Sequence, residues 1–265
     1  SAYTGVDFPY RNNISSPYLM HWLTFTAGHA SQMSIFTDRA FWQSLWRQRF
    51  ERGEPFDNLE HVFGGEQPML REWIAHPELG AYYDSYVGTP AQMKAIDMPI
   101  LSVTGMYDTQ QLGSVAWYKS HMAAASPEQR ARHFLVIGPW DHAGTRTPRP
   151  EVGGVKFGPA SLIDREKLDL EWYDWTLRGG SKPDFLKNQV AYYVAGSEIW
   201  RYADSLEAVT DHVVPYFLDS NGKATEVFAS GTLDSDGPGR GPADQYVYDP
   251  RDVSTAALES ESDPS

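Results

Sequence analysis

Two residues stand where hydrolytic chemistry would need them. Asp108 closes Thr104-Gly105-Met106-Tyr107-Asp108, directly after the short apolar run Ile100-Leu101-Ser102-Val103. His142 lies in Gly138-Pro139-Trp140-Asp141-His142-Ala143-Gly144, directly after Phe134-Leu135-Val136-Ile137. In parallel α/β sheets, functional groups collect beyond the carboxyl ends of strands. A carboxylate there can accept the Nδ1–H of an imidazole and fix its tautomer. It also stabilises the imidazolium that forms when Nε2 takes a proton from a nucleophile. The plainer reading is that Asp108 caps the helix that follows it and His142 is an ordinary loop histidine. Spacing alone leaves both open.

Other side chains have weaker claims. Tyr107 and Trp140 flank the pair and are candidates to line an acyl pocket, although aromatics beside strands are more often core. Asp141 adjoins His142, but neighbouring residues rarely face each other, so it reads as a loop acid. Asp84 is a candidate for a substrate amine and, more simply, a solvated carboxylate. His21, His29, His61 and His76 have no i, i+4 spacing with a Glu, so no metal or other cofactor is expected. Gly64-Gly65 and Gly153-Gly154 read as turn glycines rather than phosphate cradles.

The elements around the pair have an α/β pattern. Ile100 to Gly105 and Phe134 to Pro139 are continuous apolar runs bounded by turn residues, as expected of strands buried on both faces. Between them, Gln111 to Ala125 has helical spacing (Leu112, Val115, Ala116, Met122), broken at Ser126-Pro127. A further helix is predicted from Asp164, as N-cap, to Leu177, closed by Gly179-Gly180. Residues 1–98 are rich in aromatics and read as a helical cap region. They hold a short helix near Tyr18 to Phe25, a helix capped by Asp38 and ended by Gly53, and a third from Gln67 to His76. The core is predicted over 99–185. From 186 to 265 the texture is strand-like: Val190 to Val194, Val213 to Leu218 and Gln245 to Tyr248, with Asp, Asn, Ser and Gly turns between. This part reads as the start of an all-β domain with a polar, acidic tail.

Composition sets bounds. The 265 residues are 41% hydrophobic and carry a formal net charge of −13, with no Lys/Arg cluster, so nucleic acid is not an expected partner. No cysteine is present, which excludes disulfides and thiolate sites or nucleophiles in this chain. No apolar window of about 18 residues exists, so no membrane partner is expected. No leader-like segment stands out, and the compartment is not legible.

Four stretches together resemble one family. Gly138-Pro139-Trp140-Asp141-His142 resembles the Gly-Pro-Trp-x-His stretch of the cocaine-esterase/glutaryl-acylase group. These are Xaa-Pro dipeptidyl-peptidase-like serine hydrolases, and the α-amino-acid ester hydrolases belong with them. Gly105-Met106-Tyr107-Asp108 resembles the group's acid motif. Leu170-Glu171-Trp172-Tyr173-Asp174-Trp175-Thr176-Leu177-Arg178-Gly179 resembles its Trp-Phe-Asp-x-x-Leu-Lys/Arg-Gly helix. Val190 to Gly196, with Trp200-Arg201, resembles the entry to its C-terminal jelly-roll, and Tyr246-Val247-Tyr248-Asp249-Pro250 fits that domain. The resemblance implies an α/β-hydrolase core with a helical cap, followed by the beginning of a jelly-roll. It also implies Asp108 as triad acid and His142 as triad base, in the chain order known for that fold.

The family's Gly-x-Ser-Tyr-x-Gly nucleophile elbow and its upstream oxyanion tyrosine have no counterpart here. Gly28-His29-Ala30-Ser31 and Ala195-Gly196-Ser197 come near the elbow, and both lack its second glycine. The chain is therefore expected to supply two of three triad members. It would be a piece of a longer enzyme or a subunit completed by another polypeptide, and it would associate with that nucleophile-bearing segment or as a homo-oligomer. The expected activity is hydrolysis of a small carboxylic ester or amide (esterase, acylase or Xaa-Pro peptidase). The alternative is a non-catalytic scaffold of the same fold. A dehalogenase-like Asp nucleophile fits poorly, because Asp108 comes too late in the chain.

Overall fold

The computed structural model describes residues 9–11, 14–15, 18–26, 33–63, 66–220, 222–223, 231–239, 241, 243–249 and 251–252. The chain divides into two compact units, Ser1–Leu45 with Glu54–Val209, and Trp46–Gly53 with Thr210–Ser265. Residues 1–5 and 255–265, His29, Ser31 and Gly64-Gly65 lie outside the described residues.

In the first part of the chain, α1 (Tyr18–Thr26) and α2 (Arg39–Arg52) follow the predicted apolar spacing. Asp38 caps α2 by accepting a hydrogen bond from Phe41 N at 2.8 Å, and Gly53 takes a left-handed φ of 60° beyond its last turn. Helix α3 (Pro68–Ala75) starts with proline in its first turn, where no N–H is missed. Helix α4 (Pro90–Lys94) carries a full capping box from Thr89 and Gln92.

A four-stranded sheet forms the centre of the first unit. Strand β1 (Ile100–Gly105) pairs in parallel with β2 (His133–Gly138), with Ile100 opposite His133 and Gly105 opposite Gly138. Helix α5 (Gln111–Ala124) makes the crossover. Helix α6 (Arg165–Arg178) begins where Asp164 accepts from Lys167 N at 2.9 Å and ends at left-handed Gly179. Strand β3 (Val190–Val194) then pairs in parallel with β2, and β4 (Ile199–Ala203) returns antiparallel to β3.

Strand periodicity sorts the core into two layers. Phe134 and Val136 of β2 point to one face with Trp140, Leu168, Trp172, Leu186 and Ala191. Leu135 points to the other, with Tyr118, Val190 and Ala203. Each fully buried Leu, Val or Phe contributes about 1.5–3 kcal/mol.

Three sequence expectations need correction. Val190–Val194 does not open a separate β region; its parallel pairing with β2 places it, and β4 after it, in the α/β sheet. The predicted strand Val213 to Leu218 shrinks to β5 (Phe217–Asp219), which pairs antiparallel with β6 (Thr232–Asp234) in the second unit. Gln245 to Tyr248 is irregular, with Tyr246, Val247 and Tyr248 all exposed. A strand needs a covered face, and these side chains have none among the described residues.

Candidate active site

Equal register brings the two candidate loops side by side. Because Gly105 and Gly138 are level, the segments that leave β1 and β2 start next to each other. Two backbone bonds then join them: Met106 N donates to Gly138 O at 2.8 Å, and Tyr107 N to Trp140 O at 3.0 Å. This closeness requires glycine. A Cβ on Gly105 would stand 2.0 Å from Trp140 O, and one on Gly138 would stand 2.2 Å from the Trp140 ring.

Asp108 and His142 meet at this junction. His142 Nδ1 lies 3.1 Å from Asp108 Oδ1, with the Asp108 side chain 2% exposed and the His142 side chain 39% exposed. The same Oδ1 accepts a hydrogen bond from Gln110 N at 2.9 Å. The capping reading of Asp108 is corrected, since Gln110 is the N-cap of α5 and no side chain caps it; Asp108 closes the turn before the helix and faces the imidazole. With the carboxylate accepting, Nδ1 carries the proton and Nε2, on the far side of the ring, is left as a base.

The loop after β2 is held from several directions. Asp141 accepts from Gly144 N at 2.6 Å, so this acid organises its own turn. Thr145 Oγ1 donates to His142 O at 2.7 Å, and Arg165 Nε donates to Thr145 O at 3.1 Å. The part played by Arg165 was not legible, since a charged residue in the first turn of a helix gives no hint of what it holds.

The flanking aromatics separate. Tyr107 is 43% exposed beside the pair, its ring 5.7 Å from that of Phe157. Glu198 holds the Phe157 segment by accepting from Gly158 N and Tyr193 OH, each at 2.5 Å. The Tyr193 hydroxyl and the backbone amides of Gly158 and Gly196 keep the Glu198 carboxyl below its ordinary range. Trp140, by contrast, is 0% exposed and donates from Nε1 to Ser161 O at 3.0 Å. The expectation that Trp140 contacts substrate is corrected: it is a fully buried core residue. Asp84 is exposed at the end of a short helix, Ala81–Asp84. His21 stacks on Trp42 and His76 on Tyr82, and no metal-holding group of three or more His, Asp or Glu occurs among the described residues.

The sequence reading missed a buried polar chain on the α5 side of the sheet. His133 Nδ1 lies 2.9 Å from His121 Nδ1, and His133 Nε2 lies 2.9 Å from Ser102 Oγ. Burial and the neighbouring His121 press the His133 pKa down to about 3. Nothing in the local spacing of Ser102, His121 and His133 signals that they meet.

Comparison with known proteins agrees with this architecture. No family model matches the chain. Cocaine esterase from Rhodococcus sp. (strain MB1 Bresler) is 26% identical over 198 residues, covering 71% of this chain and 33% of that protein. An α-amino acid ester hydrolase structure superposes with a TM-score of 0.62 at 16% identity, covering 91% of this chain and 39% of that one. An aminopeptidase from a marine sediment archaeon, Thaumarchaeota archaeon, gives 0.53 at 21% identity, covering 67% and 28%. The chain has an α/β-hydrolase-type fold. It is similar in sequence to that cocaine esterase and spans about a third of its length.

Proposed function

We propose that this chain supplies the acid and the base of a serine hydrolase acting on a carboxylic ester or amide. The observation that carries this is the contact of a buried Asp108 carboxylate with Nδ1 of a half-exposed His142, at the carboxyl ends of two adjacent parallel strands. His142 Nε2 would take the proton of a serine hydroxyl as that oxygen attacks the acyl carbon, then return it to the leaving group. Water would release the acyl group by the same route. Asp108 keeps the imidazole in the tautomer that leaves Nε2 unprotonated. Tyr107, exposed beside the pair, would contact the acyl group. The serine would come from polypeptide outside these residues. The names of the relatives, a cocaine esterase and an α-amino acid ester hydrolase, support the reaction class and leave the substrate undefined. A cap built from residues 1–98 and a jelly-roll begun beyond β4 belong to the same proposal. Ester hydrolysis by the complete enzyme tests it. His142→Ala should abolish turnover, and retention of wild-type turnover would refute the assignment.

A further inference from the structure

Glu198 holds a backbone conformation that its residue type disfavours. It lies in the turn between β3 and β4 with a φ of 55°, the left-handed region where glycine or asparagine sits at least cost. Among the described residues, no other residue except glycine has a positive φ. The backbone already closes this turn: Gly196 has a φ of 82°, and Glu198 N donates to Val194 O at 2.9 Å. A side chain persists in such a conformation where its surroundings over-determine it. Here the surroundings are hydrogen-bond donors. Oε2 accepts from Gly158 N and Tyr193 OH, each at 2.5 Å, and Oε1 accepts from Gly196 N at 2.8 Å.

Tyr193 and Gly196 belong to the hairpin itself, but Gly158 comes 40 residues before Glu198. It follows Phe157 and opens a short 3-10 turn, Pro159–Ser161. Trp200 Nε1 donates to Ala160 O at 2.6 Å and Trp140 Nε1 to Ser161 O at 3.0 Å, which ties the far end of this segment to the sheet. Glu198 ties the end that carries Phe157. The Phe157 ring is buried, 5.7 Å from the ring of Tyr107 and 6.3 Å, edge-on, from that of Tyr193. Tyr107 directly precedes Asp108 and is exposed.

We infer that Glu198 is a positioning residue for the acyl side of the site: by pinning Phe157-Gly158 to the β3–β4 turn it keeps the Phe157 ring behind Tyr107, and the two rings form a fixed wall that selects the acyl group by size. The clamp itself stands on its hydrogen bonds; its effect on acyl selection rests on the hydrolase reading. Apolar walls discriminate by the contact they make with added methylenes, so a wall that shifts loses long acyl groups before short ones.

The complete enzyme is assayed on p-nitrophenyl acetate and p-nitrophenyl hexanoate, which share a leaving group and differ in acyl length. Glu198→Gln keeps the reach of the side chain but replaces one accepting oxygen by a donor. It should raise KM for the hexanoate at least about tenfold relative to the acetate. On either ester kcat should stay within about twofold, because what is lost is binding rather than transition-state stabilisation. Phe157→Leu leaves the carboxylate contacts in place and should shift the same ratio. Amide hydrogen exchange reads the clamp directly: Gly158 N should exchange faster in Glu198→Gln and at the wild-type rate in His142→Ala. That last variant should abolish turnover, so failure of the clamp and failure of the hydrolase reading are distinguishable. A clamp that serves stability alone would lower kcat on both esters in proportion to the folded fraction and leave the KM ratio unchanged, and that result would overturn the inference. So would unchanged Gly158 exchange in Glu198→Gln, or, should that variant not fold, an unchanged KM ratio in Phe157→Leu.

Discussion

Asp108 Oδ1 accepts from Gln110 N and from His142 Nδ1 together, which ties helix entry to imidazole orientation. Asp108→Asn tests these roles apart. The asparagine oxygen can still accept from Gln110 N, but an amide facing Nδ1 favours the wrong imidazole tautomer. In the complete enzyme we expect kcat to fall on the order of 10⁴-fold with little change in the unfolding midpoint. Comparable losses in stability and activity would instead make Asp108 a turn anchor only. Trp140 predicts the opposite pattern. It is wholly buried and hydrogen-bonded to Ser161 O, so Trp140→Ala should cost about 3–5 kcal/mol in denaturant unfolding. A cost within that of a surface substitution would contradict its place in the core.

Register positions the pair at the scale of elements, and the two glycines at the ends of β1 and β2 make the register workable. Gly138→Ala would place a methyl against the Trp140 ring, and we expect at least about 1–3 kcal/mol of destabilisation with a lower hydrolysis rate. The buried His133–His121–Ser102 chain gives a pH dependence. The pKa of His133 falls from 6.5 to about 3 on folding, so between those values the unfolded chain binds more protons than the folded one. Stability should therefore be intact above pH 6.5 and decline as pH falls toward 3, by up to about 1.4 kcal/mol per pH unit. Unfolding curves at several pH values check this, and His133→Phe should flatten the slope. Strands β1 and β2 and the caps Asp38, Asp164 and Gly179 were legible because each is written in local pattern. The partners of β3 were not, because parallel pairing depends on where α6 delivers the chain. Nor was the burial of Trp140, since an aromatic after a strand can turn either way.

At the scale of the whole chain, the open edge of β1 and the exposed Leu170, Tyr173 and Leu177 of α6 leave apolar and hydrogen-bonding surface uncovered among the described residues. Edges of this kind drive association, so light scattering should show either a complex or self-association. A lone monomer at high concentration would contradict that expectation. The candidate acid and base could be read from sequence because their motifs are local. The serine could not, because no Gly-x-Ser-x-Gly occurs in these residues. The most direct test of the central claim is intact mass after treatment with a fluorophosphonate, comparing wild type with His142→Ala. In a preparation containing the nucleophile-bearing polypeptide, the account predicts one addition of the probe's mass to a serine there. It predicts little or none when His142 is replaced, and none on this chain by itself. Equal labelling of wild type and His142→Ala would mean that His142 is not the base, and the assignment of the pair would fail.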